Sequence, residues 1–359
     1  MTEITKPKKS MGKKSMGKKG PGKKLGAVRR KAVDVSATSL VELTPMEEGR
    51  PLPLVARPTV PGVDLIDWVS KEKELINKHL LEHAGILFRG FQPPSIGDFE
   101  KLVEALSGSL LRYTYRSTPR SEVEGKIYTS TEYPHDQHIP LHNEMAYSRS
   151  WPQKIWFYCV TAAPVGGETP FADSRQVYRD VAPAVRQRFE DKGVMYVRNY
   201  GGGLDLPWQN VFNTDDRSEV EAYCEKSGIE FEWRSDDRLR TRQVVAGVRK
   251  HPVTGDPLWF NQAHLFHVSS LLPEIRDNLL EAVGEDELPR NAYYGDGSPI
   301  SDADLAEVRR VLKEDEIVFP WEQGDIALLD NMLAAHGRRP FEGPRKVLVG
   351  MAEEVRQAA

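Results

Sequence analysis

Residues 64–83 are amphipathic with a helical period and stop near Gly85. The short apolar run at 85–90 predicts a buried strand, and 96–106 a second helix. Strands are expected at 126–130, 141–147 and 152–162, with the Gly166-Gly167 pair making a turn before a helix over 174–191. Residues 193–265 mix short strands and loops with one helix near 218–227. Helices over 271–283 and 302–312 precede closing strands at 325–330 and 346–352. Short strands, long insertions and few regular strand–helix–strand units predict a mainly β fold with peripheral helices. A double-stranded β-helix of the jelly-roll, cupin-like kind meets that description. No repeat of 20–50 residues is visible in the folded part.

At 359 residues the chain can bury a large core, and one enlarged domain is expected. No apolar run reads as a membrane span or a secretory signal. The two cysteines, Cys159 and Cys224, lie far apart, and Cys159 sits in an apolar strand, so a disulfide framework is not expected. These features point to the reducing cytoplasm. Charge is distributed unevenly. Residues 1–31 hold ten Lys and two Arg against Glu3, about +11, so the remainder carries about −15 within a total of −4. This tail repeats Ser-Met-Gly-Lys-Lys and has almost no large apolar residues, so residues 1–32 are expected to be disordered. It is either a solubilising extension or an arm for an acidic partner. A body near −15 repels phosphate, which argues against nucleic acid as that partner.

His142-Asn143-Glu144 is the one place where a histidine is followed two residues later by an acid. Two imidazoles and one carboxylate on one face of a metal leave the other face open, the facial arrangement of non-haem iron(II) oxygenases. On a regular strand His142 and Glu144 would point the same way. His336, near the C-terminus, is the candidate for the second imidazole. Other histidine groups, His135 with His138 and His142, or His264 with His267, lack the cysteine company or HExxH frame of a zinc site. Gly201-Gly202-Gly203 is followed by neither a helix nor a lysine and reads as a loop.

Three blocks carry a family resemblance. Residues 140–173 contain HNEMAY, IWFYCV and APVGGETPFAD; residues 251–261 read HPVTGDPLWFN; residues 324–351 read GDIALLDNMLAAHGRRPFEGPRKVLVGM. Together, over about 61–355, they resemble the TauD/TfdA family of iron(II)/2-oxoglutarate dioxygenases, placing such a domain over 33–359. The acid is Glu, not the commoner Asp. This variant is similar to the branch of clavaminate-synthase-like and SyrP-like amino-acid hydroxylases. The resemblance implies Fe(2+), 2-oxoglutarate and O2 as cofactor and cosubstrates. It implies His142, Glu144 and His336 as iron ligands and catalytic centre. Arg345 would anchor the far carboxylate of 2-oxoglutarate as a bidentate cation, helped by the hydroxyl of Thr169. Lys346 would point outward. The second arginine of taurine-type enzymes is replaced here by Val349, so a sulfonate clamp of that kind is absent. Candidate substrate contacts are Arg116, Arg120, Glu132, Asn143, Asn261, and Arg338 or Arg339. Asn143 is expected to face groups around the site and not the iron.

The resemblance therefore implies hydroxylation of an unactivated C–H bond in an amino acid, free or tethered to a peptidyl carrier protein, in specialised-metabolite assembly. Desaturation or cyclisation with the same cofactors is an alternative, and a non-catalytic jelly-roll binding module is another. Halogenation is disfavoured because Glu144 holds the place a halide would need. Deleting residues 1–31 is predicted to leave the folding transition and iron binding unchanged. Loss of either on truncation, measured by circular dichroism and metal analysis, would show that the tail joins the core.

Overall fold

The fold is organised around the strand Ser150–Thr161, which is buried on both faces over most of its length. The computed structural model describes residues 40–111, 122–124, 126–129 and 133–357. Strand alternation sends Trp156 and Tyr158 to one side, where they pack with Ile86, Phe88, Phe99, Leu102, Ile326 and Leu328 under the helices. Ile155, Phe157 and Cys159 face the opposite side, with Ala327, Leu329, Val347 and Val349. A strand covered on both faces loses the polar–apolar alternation of a half-exposed one, which is why residues 152–162 read as a continuous apolar run.

This strand pairs antiparallel with Ile326–Asp330 on one side and Lys346–Arg356 on the other. Phe157 stands opposite Ala327 and Val349. The full sheet has eight strands, in the order Val41–Glu47, Arg50–Pro58, Gly85–Phe88, Ile326–Asp330, Ser150–Thr161, Lys346–Arg356, Ile127–Thr129 and Glu122–Glu124. Its outer face is covered by helices Leu65–Lys71, Lys73–His83 and Ile96–Ser107. Against its inner face lies a three-stranded sheet in the order Ile139–His142, Ala334–Arg338, Phe171–Asp173. Leu141, Ala334, Ala335, Phe171 and Ala172 of this layer share one core with Phe157 and Val349. A four-stranded sheet, Glu230–Trp233, Leu239–Val245, Val194–Tyr200 and Arg290–Tyr294, extends that core through Tyr196 and Tyr294. Two facing layers, antiparallel except where Arg50–Pro58 runs parallel to Gly85–Phe88, with helices outside, are the jelly-roll architecture the sequence implies.

Three elements differ from expectation. The helix over 64–83 is two helices, broken at Glu72, whose backbone leaves the helical region at φ −105°, ψ 26°. The first packs against Ile96–Ser107, and the second against strands Arg50–Pro58 and Gly85–Phe88. Packing against different partners overrides a continuous local period. The helix over 174–191 also divides, into Ser174–Asp180 and Pro183–Lys192. Pro183 forces the residue before it out of the helical region, and Ala182 is extended at ψ 130°. The third correction bears on the site: the strand expected over 141–147 ends at His142. The basic tail lies outside the described residues.

Trp156 is fully buried, stacks on Phe88 at 6.1 Å and donates its indole N–H to Ser107 Oγ at 3.1 Å. Trp156→Ala is predicted to cost about 3–5 kcal/mol of stability, read as a shift in the denaturant midpoint. A loss under about 1 kcal/mol would mean this side chain does not hold the helices to the sheet.

Candidate active site

The two histidines meet through sheet register. Strands Ile139–His142 and Ala334–Arg338 pair antiparallel with His142 directly opposite His336. Side chains of such a pair start about 5 Å apart. The two rings lie 4.6 Å apart between centroids. Phe157, from the facing layer, packs edge-on to His336 at 5.1 Å and limits where that ring can turn. The close approach of the strands depends on Gly337. A Cβ there would lie 2.5 Å from the Ile139 carbonyl oxygen.

Glu144 arrives by a turn, not by strand alternation. After His142 the chain leaves the sheet, and Met145 adopts a left-handed φ of 57°. Asn331 fixes the turn. Its Oδ1 accepts from the Glu144 N–H at 2.7 Å, and its Nδ2 donates to the Glu144 carbonyl at 2.9 Å and to the Pro152 carbonyl at 2.8 Å. One fully buried amide therefore holds both backbone groups of the carboxylate ligand against the central strand. Gln262 adds a bond from Nε2 to the Asn143 carbonyl at 2.6 Å. The result is a cluster in which a nitrogen of His142, a carboxylate oxygen of Glu144 and a nitrogen of His336 all lie within 4.8 Å of one another. His142 Nδ1 bonds the Pro140 carbonyl at 2.8 Å. A carbonyl can only accept, so Nδ1 carries the hydrogen and Nε2 keeps its lone pair for a metal. Two imidazole nitrogens and one carboxylate oxygen on one side fit a ferrous ion with open positions opposite.

One cavity runs from His142 and His336 to Arg345, lined also by Ile139, Phe157, Thr169, Arg338, Val347 and Val349. Arg345 sits just before strand Lys346–Arg356, and Lys346 is exposed, as alternation required. Arg345 Nε donates to the Gly167 carbonyl at 2.8 Å, and Nη2 lies 3.4 Å from Thr169 Oγ1. Gly167 has a φ of 75°, and a Cβ on it would meet the Arg345 stem at 2.9 Å. Trp321 donates its indole N–H to Thr169 Oγ1 at 2.9 Å. With its lone pairs facing donors, the threonine O–H is the group left to give to an incoming acceptor. Burial, and secondarily the neighbouring Arg338 cation, push the Arg345 pKa down to about 10. The group stays charged at neutral pH, in a setting that an anion relieves.

The remaining sequence candidates divide. Arg116, Arg120 and Glu132 lie outside the described residues. Asn143 is committed to Ser174 Oγ at 3.0 Å and the Asn331 carbonyl at 2.7 Å, as befits a residue turned away from the metal. Its amide nitrogen holds the turn. Asn261 also ties down backbone. Its amide bonds the Gly247 carbonyl at 2.7 Å and the Ala263 N–H at 3.1 Å. Arg338 lines the cavity, but its guanidinium donates to the carbonyls of Tyr133, Pro134 and Gln137 and so anchors the loop beside the site. Arg339 pairs with Glu316. His264 lies buried, bonding the Leu141 carbonyl behind the ligand strand at 2.9 Å, and forms no metal cluster among the described residues. Asn331 and Gln262, which hold the Asn143–Glu144 backbone, were not singled out by the sequence; Asn331 stood in the C-terminal block only as a neighbour of His336.

A cluster that could hold a metal ion, on this fold, points to a class. The family model "Taurine catabolism dioxygenase TauD, TfdA family" matches residues 48–352, and the chain belongs to that family of iron(II)- and 2-oxoglutarate-dependent dioxygenases. Among individual relatives, the dapdiamide synthesis protein DdaC of Enterobacter agglomerans is 43% identical over 284 residues, 79% of this chain and 86% of that protein. A clavaminate synthase-like protein of Arabidopsis thaliana is 32% identical over 325 residues, 85% of this chain and 95% of that protein. Among solved structures, PvcB of Pseudomonas aeruginosa shares the fold, with a TM-score of 0.54 at 16% identity over 92% of this chain and 98% of that one. No helix among the described residues is long and apolar enough to cross a membrane.

Asn331→Ala is predicted to weaken ferrous binding by about 10–100-fold, because the carboxylate ligand loses the amide that orients it. Anaerobic metal titration checks this, and unchanged affinity would remove Asn331 from the site. Gly337→Ala is predicted to weaken metal binding as well, by prising apart the strands that carry the two histidines.

Proposed function

We propose that this dioxygenase hydroxylates an unactivated C–H bond of an amino acid, free or tethered to a peptidyl carrier protein, during specialised-metabolite assembly. The observation that carries the oxygenase reading is the single cavity that His142 and His336 of the metal-binding cluster line together with Arg345 and Thr169. Iron(II), when bound, couples O2 reduction and 2-oxoglutarate decarboxylation, yielding succinate and CO2, to oxidation of the substrate. The protein's own part is positional. The three ligands hold one face of the metal, Arg345 and Thr169 seize the far carboxylate of 2-oxoglutarate, and Phe157, Val347 and Val349 keep the space between them apolar. A non-catalytic module has no use for a buried arginine and hydroxyl arranged in this way.

Substrate class rests on a second cavity of about 510 Å³, which includes Met145, Arg149, Trp151, Lys226, Glu354, Arg356 and Met351 in its lining. Met145 follows the ligand Glu144. Met351 continues the inward-facing series Val347, Val349 on one strand, so the cavity adjoins the iron end of the site. Cations from Arg149, Lys226 and Arg356 beside the carboxylates of Glu225 and Glu354 suit a zwitterionic amino acid. The relative DdaC, a dapdiamide synthesis protein, supports a place in specialised metabolism. Two buried free cysteines and a ferrous site suit the reducing cytoplasm.

Succinate release with iron and 2-oxoglutarate, screened over free and carrier-loaded amino acids, tests the reading, with mass spectrometry of the product. A gain of one oxygen atom supports hydroxylation; loss of two hydrogens moves the reaction to desaturation or cyclisation; no stimulation by any amino acid overturns the substrate class. Thr169→Val is predicted to raise the 2-oxoglutarate requirement by the equivalent of one hydrogen bond to a charged group, roughly 1.5–3 kcal/mol. Arg345→Lys should raise it further, because a point charge cannot replace a bidentate fork. The reverse order would exchange the two roles.

A further inference from the structure

Away from the site, helix Lys73–His83 carries His79, Glu82 and His83 at i, i+3 and i+4, which places all three on one helix face. Their ligand atoms lie within 4.8 Å of one another. Glu82 Oε2 is 3.7 Å from His79 Nδ1 and 3.9 Å from His83 Nε2. The rings sit 5.6 Å apart between centroids. Metal bonds of about 2.0–2.2 Å place ligand atoms roughly 3.3 Å from one another, so Glu82 needs to approach each histidine by only about half an ångström.

Two further observations show that these nitrogens are prepared for a cation. His83 Nδ1 bonds the Pro51 carbonyl at 2.9 Å. That carbonyl can only accept, so Nδ1 carries the hydrogen and Nε2 presents its lone pair toward Glu82, the outer-shell arrangement typical of a metal-bound histidine. His79 Nδ1 is buried and has no hydrogen-bond partner, and it points to the same carboxylate. Glu82 remains exposed, which leaves a path for the ion.

We propose that His79, Glu82 and His83 form an accessory site for a borderline divalent transition ion of the zinc type, separate from the iron centre. Two imidazoles and a carboxylate suit Zn2+, with water completing the coordination. A bound ion would cross-link the last turn of the helix. That turn leads directly into strand Gly85–Phe88, which pairs with Ile326–Asp330 ahead of the Asn331 clamp.

Equilibrium dialysis of the full-length protein against Zn2+, with metal and protein both quantified, tests this. The iron ligands also accept zinc, so the intact protein should retain two equivalents and His336→Ala one. Adding His79→Ala or His83→Ala to His336→Ala should abolish that remaining equivalent, and Zn2+ should raise the melting temperature of His336→Ala but not of the double variants. If His336→Ala does not fold, His79→Ala in the otherwise intact chain should lower retention from two equivalents to one. Retention of one equivalent by the intact protein, or retention unchanged when His79 or His83 is replaced, would overturn the site.

Discussion

The pairing of His142 with His336 across two antiparallel strands is the constraint on which the centre depends. Register has a period of two, so a one-residue slip would turn one imidazole to the opposite face of its strand and dismantle the metal site. Several features hold that register. Gly337 lets the backbones approach, Phe157 packs against the His336 ring, and the doubly covered strand Ser150–Thr161 supplies a rigid floor. Asn331 then ties the third ligand to the same floor through both backbone groups of Glu144. Ligand geometry is thus set mainly by backbone hydrogen bonds and apolar packing, which leaves the ligand atoms themselves available for a metal.

The electrostatics of the cavity follow a different logic. Two arginines line one buried space, an arrangement that costs free energy unless an anion joins them. Arg338 spends its donors on three loop carbonyls, whereas Arg345 and the Thr169 hydroxyl face the interior. A dicarboxylate chelating iron at one end and meeting Arg345 at the other would satisfy both poles of the cavity.

Much of this was legible in the chain. The jelly-roll class followed from short strands and peripheral helices, and Arg345 could be separated from Lys346 because only one can face inward where the strand begins. His142 and Glu144 were found by residue type and spacing, but the physical reason differed: a turn with a left-handed Met145 unites them, and strand alternation does not. Pro183 marked a helix break in plain view, while the break at Glu72 was set by tertiary partners that no local period records. Asn143 and Asn261 show the limit. A buried asparagine looks the same in sequence whether it binds a ligand or ties down backbone, and here both tie down backbone.

One cavity is expected to bind iron and 2-oxoglutarate together. Anaerobic calorimetric titration of 2-oxoglutarate into the protein, with and without iron(II), tests it most directly. The account predicts one binding event per chain whose affinity rises at least tenfold when iron is present, because metal chelation adds to the Arg345 contact. Equal affinity with and without iron, or no binding in its presence, would contradict it.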